Sequence, residues 1–357
     1  MKNIKLIAIF LLVLPILGLS QNKKISDFEI LDSNHDDVIN PYEALDVFLM
    51  MQNNSKEDLC LKDISKFADK LKNERNQEVL DMLKDVDKNG NDIIEFSEAN
   101  EEILSDLELM DTDKSKSVTK QEMFDFNFED AYFLSEKDIQ KEIKLIFKEF
   151  AKTKNIELKD LNDTIRVNFE EWDFNGDGEV SKKEAYDYLK ANNTTVAFTI
   201  EGDIAYMSGV ITASTPAKIL ELIFEHPNVK TIEMINVPGS IDDVANLRAS
   251  LYVHQYGLNT CLNKRSIIAS GGTDFFLAGK ERTVAKGAKI GVHSWSGGAK
   301  PAAELSKNHK SHKKYIDYYK IINIPTEFYW YTLEVAPAHD IHWMTEKEIK
   351  KYKVRTK

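Results

Sequence analysis

The stretch Ile267-Ile268-Ala269-Ser270-Gly271-Gly272-Thr273-Asp274-Phe275-Phe276-Leu277-Ala278-Gly279 sets the character of the chain's second half. A short apolar strand runs into one serine, two glycines let the backbone turn with its amides exposed, and a helix over Thr273 to Ala278 follows. A serine on such a turn is placed either to attack a carbonyl, with the Gly271 amide next to the developing oxyanion, or simply to cap the helix. Around it, Val196 to Ile200, Ala205 to Met207, Thr231 to Asn236 and Ala288 to Val292 read as strands, while Thr215 to His226 and Ser240 to Tyr256 read as helices. Strands alternating with helices of crossover length predict βαβ units and a mostly parallel sheet. Sites in such sheets form at the carboxyl ends of strands, where Pro238-Gly239-Ser240 and Gly291-Val292-His293 provide two further glycine-bearing junctions. His293 lies 23 residues after Ser270 and is the candidate general base, or else a packed histidine.

The first half has a different character. Residues 196–357 carry 16 acidic and 21 basic side chains, which leaves 43 acidic and 26 basic in the first 195, so a net charge of -12 divides into an acidic and a basic region. The step falls at the polar run Ala191-Asn192-Asn193-Thr194-Thr195, a natural boundary in a 357-residue chain long enough for about two domains. An acidic balance also argues against nucleic acid as a partner, since such affinity comes from neutralised phosphates.

Four twelve-residue windows in the acidic region place oxygen-bearing side chains at positions 1, 3 and 5, a branched apolar residue at 8 and Glu at 12. With the position 7 carbonyl, their ligand sets are Asp32, Asn34, Asp36, Val38 and Glu43; Asp87, Asn89, Asn91, Ile93 and Glu98; Asp111, Asp113, Ser115, Ser117 and Glu122; and Asp173, Asn175, Asp177, Glu179 and Glu184. A hard cation such as Ca2+ needs six or seven oxygens, which a tight loop and the first turn of the following helix supply together. Gly178 occupies position 6 of the last loop, where the chain turns through positive φ; Asp37, Asp92 and Lys116 stand there in the others. Lys adopts that conformation least readily, which makes the Asp111 loop the weakest of the four. Degenerate copies at Gln52 to Asp63 and Glu149 to Asp160 complete three pairs and are expected to supply partner strands rather than ligands.

These windows resemble the EF-hand family. The runs Asn236 to Gly239, Ala269 to Gly279 and Ala288 to His293 resemble the ClpP/crotonase superfamily, and most of all its exported ClpP-like serine protease branch, from about residue 202 to 355. The resemblance implies a multidomain protein: a mostly helical EF-hand region over 24–192 followed by a ClpP/crotonase-like α/β domain over 196–357. It further implies Ser270 as nucleophile, His293 as base, an oxyanion hole from the amides at Gly239 and Gly271, a peptide or protein substrate, and assembly as a trimer or hexamer. Asp340, in Asp340-Ile341-His342-Trp343-Met344-Thr345, matches the segment that carries the family's third, orienting carboxylate, with Glu334 as fallback. Ser240 stands where the family has a second glycine. A non-catalytic calcium-binding module on the same scaffold is the competing reading, and a crotonase-type acyl-thioester enzyme a third.

Lys2 and Lys5 ahead of the apolar run Leu6 to Leu19 have the layout of a secretory signal peptide over 1–20, implying export to a periplasmic or secreted location with no membrane span in the mature chain. Cys60 and Cys261 are the two cysteines, one per region, and in an oxidising compartment would either pair across the regions or remain separate thiols. Between His293 and Asp340, Glu304 to Trp330 reads as helical, with Lys307, Lys310, Lys313, Lys314, His309 and His312 on a polar side near Tyr315, Tyr318 and Tyr319.

Overall fold

In the computed structural model the described residues are 80–357, apart from 82, 101–102, 127–132, 163–164, 167–168 and 296–300. The leader, the first ligand set from Asp32 to Glu43, the Gln52 to Asp63 copy and Cys60 lie outside them. The chain is multidomain, with small helical units followed by a mixed α/β sheet region.

In the first unit, β1 (Ile93–Glu95) and β2 (Ser117–Thr119) pair antiparallel, with Ile94 opposite Val118. In the second, β3 (Ile156–Glu157) and β4 (Glu179–Val180) do the same, with Ile156 opposite Val180. All four branched residues are fully buried, each worth about 1.5–3 kcal/mol of burial. The degenerate Glu149 to Asp160 stretch thus provides the partner strand. Each pair sits on its own small core: Leu83, Val86, Leu107, Met110 and Met123 in the first, Ile139, Ile143, Phe169, Trp172 and Tyr188 in the second. Helix Glu136–Phe150 presents Ile139, Ile143, Ile146 and Phe147 at three- and four-residue spacing to the second core.

Helix Lys182–Asn192 ends shortly before the larger sheet, which holds eight strands: β5 (Ala197–Glu201), β6 (Ile204–Ser208), β7 (Thr231–Val237), β8 (Asn259–Leu262), β9 (Ile267–Ala269), β10 (Arg282–Val284), β11 (Lys289–Val292) and β12 (His342–Trp343). The pairs β6–β7, β7–β8, β7–β9, β8–β10 and β9–β11 are parallel; β5–β6 and β11–β12 are antiparallel. Helices Thr215–Glu225, Asp243–Gln255 and Gly271–Leu277 return the chain between strands, as the alternation predicts. One side of β7 pairs with β6; along the other, its first half meets β8 and its end meets β9. This split sheet brings the carboxyl ends of β7, β9 and β11 side by side.

Arg282 is the main polar fixture of this core. Its guanidinium donates to the backbone carbonyls of Val354 (2.8 Å), Gly279 (2.9 Å), Lys353 (3.1 Å) and Leu277 (3.3 Å), tying the C-terminal segment to the helix that follows Ser270. Spreading the charge over four acceptors offsets the cost of desolvating it.

The Glu304 to Trp330 stretch departs from one polar-faced helix. Asn323 takes φ 58° and Pro325 follows, so the chain forms two helices, Lys313–Ile321 and Thr326–Val335. Tyr315, Tyr318 and Tyr319 are buried. His312 is buried as well, bonded through Nδ1 to the Tyr329 hydroxyl (2.6 Å). Among the described residues no helix is long and apolar enough to cross a membrane.

Candidate functional site

Parallel register explains the meeting at the sheet edge. Val237 pairs with Ile268 and Gly291 with Ala269, so two steps beyond β7 is Gly239, one beyond β9 is Ser270, and one beyond β11 is His293. Ser270 has φ 52° and ψ -129°, a conformation that costs a non-glycine residue about 1–3 kcal/mol. Its amide donates to the Gly291 carbonyl (3.1 Å), and its own carbonyl accepts from Thr273 N–H (2.8 Å), which together hold the turn. The hydroxyl makes no capping bond to the helix Gly271–Leu277. Ser270 thus holds the N-cap position without capping through its hydroxyl, and it lines the pocket instead.

Glycine is required on both sides of that serine. A Cβ on Gly239, whose φ is 153°, would lie 3.0 Å from Ser270 Cβ and 3.5 Å from its Oγ; one on Gly271 would lie 2.2 Å from Ser240 Oγ. Among the described residues no protein group accepts the amide hydrogens of Gly239 or Gly271. Two free donors beside a serine hydroxyl make an arrangement able to stabilise an oxyanion. Ser240, in the place of a second glycine, turns its hydroxyl to Asp243 Oδ1 (2.7 Å).

Ser270, Gly271 and His293 line one pocket of about 40 Å³ together with Asp243, Thr273, Asp274, Val292, Trp295, Tyr315, Tyr319, Tyr329 and Thr332. No hydrogen bond joins Ser270 to His293 among the described residues, and His293 Nδ1 is buried without a protein partner. Burial lowers the pKa of His293, opposed by the adjoining backbone at Ala338 and the charge of Asp243, so the ring is a neutral base at pH 7. Asp340 differs from expectation. It is exposed, and its Oδ1 accepts the N–H of Ile341 (2.8 Å). The turn closed by Asp340 N–H on Pro337 carbonyl brings the Ala338 backbone, not the carboxylate, against the imidazole. Glu334 is exposed too.

Two acids in the pocket escaped the sequence reading. Asp274 is pushed from 3.8 up to about 7, chiefly by burial, although the Tyr319 hydroxyl donates to its Oδ1. Asp243 accepts from Ser240 and from the Tyr315 hydroxyl. The tyrosines come from the helix Lys313–Ile321, some 40 to 70 residues away, and no local spacing announces that meeting.

The three described twelve-residue loops share one internal geometry. The carboxylate at position 1 accepts the amides of the turn: Asp87 those of Gly90 (2.7 Å) and Asp92 (2.9 Å), Asp111 those of Ser115 (3.0 Å) and Lys116 (2.9 Å), Asp173 those of Gly176 (2.7 Å) and Gly178 (2.9 Å). The position 12 carboxylate folds back onto the position 9 amide: Glu98 to Glu95 (3.1 Å), Glu122 to Thr119 (2.9 Å) and Glu184 to Ser181 (2.9 Å). At position 6, Asp92 (φ 61°) and Lys116 (φ 64°) adopt the left-handed conformation that Gly178 (φ 84°) takes without cost. At position 5, the Asn91 side chain accepts the Ile93 amide and that of Asp177 the Glu179 amide, both at 2.9 Å, while Ser115 Oγ donates to the Ser117 carbonyl (3.0 Å). Asn89 and Asn175 each accept the position 5 amide.

The loop expected to be weakest brings its acids closest together: Asp111, Asp113 and Glu122 place ligand oxygens within 4.8 Å of one another. Position 3 explains this, because Asp113 is a carboxylate where the other two loops have Asn89 and Asn175. Three anions at such separation repel unless a cation lies among them, so the donor set fits a hard metal ion.

Cys261 is not disulfide-bonded here; its thiol faces Glu233 (3.7 Å) and is pushed up to about 12 by burial and that carboxylate. Such a thiol is a poor nucleophile.

No family model and no curated protein matches the chain. Among solved structures it is weakly similar to a mutant form of the 1510-N membrane-bound stomatin-specific protease, at 18% identity and a TM-score of 0.31 over 44% of this chain and 80% of that one. It is similar to the same extent in TM-score, 0.31, to an enoyl-CoA hydratase from Polaromonas sp. JS666, at 10% identity over 45% of this chain and 69% of that one. An enoyl-CoA hydratase from Bacillus anthracis gives 11% identity and a TM-score of 0.28, again over 45% and 69%.

Proposed function

We propose that the chain is an exported, calcium-binding serine peptidase, with paired EF-hand loops in residues 24–192 and a ClpP-like catalytic unit in 196–357 that assembles as a trimer or hexamer. The observation that carries the reading is Ser270 itself: a strained serine at the sheet's carboxyl edge, sharing a pocket with a neutral, half-buried histidine and the Gly271 amide, with Gly239 packed against its side chain. Ser270 Oγ attacks the peptide carbonyl as His293 takes its proton; the carbonyl oxygen gathers charge against the Gly239 and Gly271 amides. His293 then returns the proton to the leaving amine, and a water deprotonated by the same ring releases the acyl group. The Ala338 backbone orients the ring, and Asp243, whose charge acts on it more strongly than that of Asp340, supports the imidazolium. Calcium fits the loops because their donors are oxygens alone, with Glu at position 12.

Labelling with a fluorophosphonate probe tests this, comparing the intact chain with Ser270→Ala in calcium and in chelator. Label on Ser270 that vanishes in the alanine variant is expected; no label in either state rejects a peptidase. The missing Ser270 to His293 hydrogen bond favours one competitor, a calcium-binding interaction module that has kept the scaffold without the reaction.

A further inference from the structure

Between the ion loops and the serine pocket lies a contact that the chemistry of neither requires. Glu171, only 9% exposed, sits two residues ahead of the loop that starts at Asp173. Its carboxylate accepts from the Tyr188 hydroxyl (3.0 Å), on the helix Lys182–Asn192 that leaves the loop, and the indole of Trp343 on β12 faces it. Lys289 of β11 provides the facing positive charge, its Nζ 5.8 Å from the Trp343 ring centre. One buried carboxylate is thus held from both sides of the join. Losing any partner leaves it desolvated and under-bonded.

The contact continues to the nucleophile. Trp343 pairs with Gly291 across β11–β12, and its ring occupies the space a side chain would need, since a Cβ on Gly291 would lie 2.9 Å from Trp343 Cζ3. The Gly291 carbonyl in turn accepts the Ser270 amide (3.1 Å) and the Thr273 hydroxyl (2.8 Å). On the loop side, Tyr188 is carried by a helix whose first turn is set by Glu184, through its capping box with Ser181. Loop, Glu171, Trp343, Gly291 and Ser270 therefore form an unbroken series of contacts.

We infer that Glu171 and Trp343 are positioning residues, through which occupation of the Asp173 to Glu184 loop by calcium steadies the Ser270 amide on the Gly291 carbonyl. This rests on the reading of that loop as a calcium site, and not on whether Ser270 is catalytically active. Hydrogen exchange on the full chain tests it, read in the segment 266–278 in calcium and in chelator, with calorimetric calcium titration of the same samples. In the wild type, calcium should slow exchange at the Ser270 amide at least about tenfold. Trp343→Phe keeps the ring over Gly291 and removes the indole N–H; calcium should then slow exchange less than about twofold. Tyr188→Phe, which cuts the series from the loop side, is the second variant should the first fail to fold. A merely structural role would lower protection equally with and without calcium, leaving the ratio intact, and would overturn the inference. Calcium uptake with no change at 266–278 in the wild type overturns it alone, whereas no uptake overturns it together with the loop reading.

Discussion

Replacing Asp274 by Asn should change how stability depends on pH, in a direction and size that follow from its position. The carboxyl lies on the pocket wall beneath Tyr319, and burial raises its pKa from 3.8 to about 7. Between those values the folded chain keeps a proton that the unfolded chain releases. The group's contribution is therefore fully present below about pH 4 and is lost as pH rises through about 7, amounting to about 4 kcal/mol at full extent. Asn retains an acceptor for the Tyr319 hydroxyl and cannot ionise. Urea unfolding of wild type and Asp274→Asn across pH 3.5 to 8 isolates the effect: the wild type should lose about 4 kcal/mol relative to the variant over that range. A difference that stays flat within about 1 kcal/mol would refute the assignment of a buried, proton-retaining acid.

Gly271→Ala drives a methyl group onto the Ser240 hydroxyl and the Asn246 amide, so it should cost about 1–3 kcal/mol in thermal melts and abolish probe labelling of Ser270. Because desolvation lowers the pKa of the half-buried His293, the pH profile of Ser270 labelling should reach its plateau with a midpoint below 6.5; a midpoint above that value contradicts the neutral base. Glu122→Gln should remove one ion from the calorimetric calcium count, while Ile156→Ala should cost about 2–5 kcal/mol and weaken the Asp173 loop, though Ile156 supplies no ligand.

Local order carried the reading of the loops and of the glycine-serine turn. The twelve-residue spacing places carboxylates at fixed offsets, and one branched residue per loop was enough to foresee Ile94 against Val118 and Ile156 against Val180, because a position 8 strand can bury itself only against its twin. That Gly239, Ser270 and His293 lie at one sheet edge was legible for a related reason: each follows an apolar strand, and parallel strands end together. Asp340 misled because chain order does not say which way a loop carboxylate turns, and here the Pro337 to Asp340 turn presents backbone to the ring.

What the sequence by itself determined is what repeats or alternates: two electrically opposite regions, oxygen-rich loops, strands alternating with helices, and a serine between a strand and two glycines. What only the tertiary structure decided is which distant groups meet. Asp243 and Asp274 join the pocket because a helix some 40 to 70 residues later packs Tyr315 and Tyr319 over them, and Glu171 meets Trp343 across 172 residues. Backbone periodicity is written in neighbouring residues, whereas burial and charge pairing depend on the packing of segments whose separation along the chain carries no trace of it.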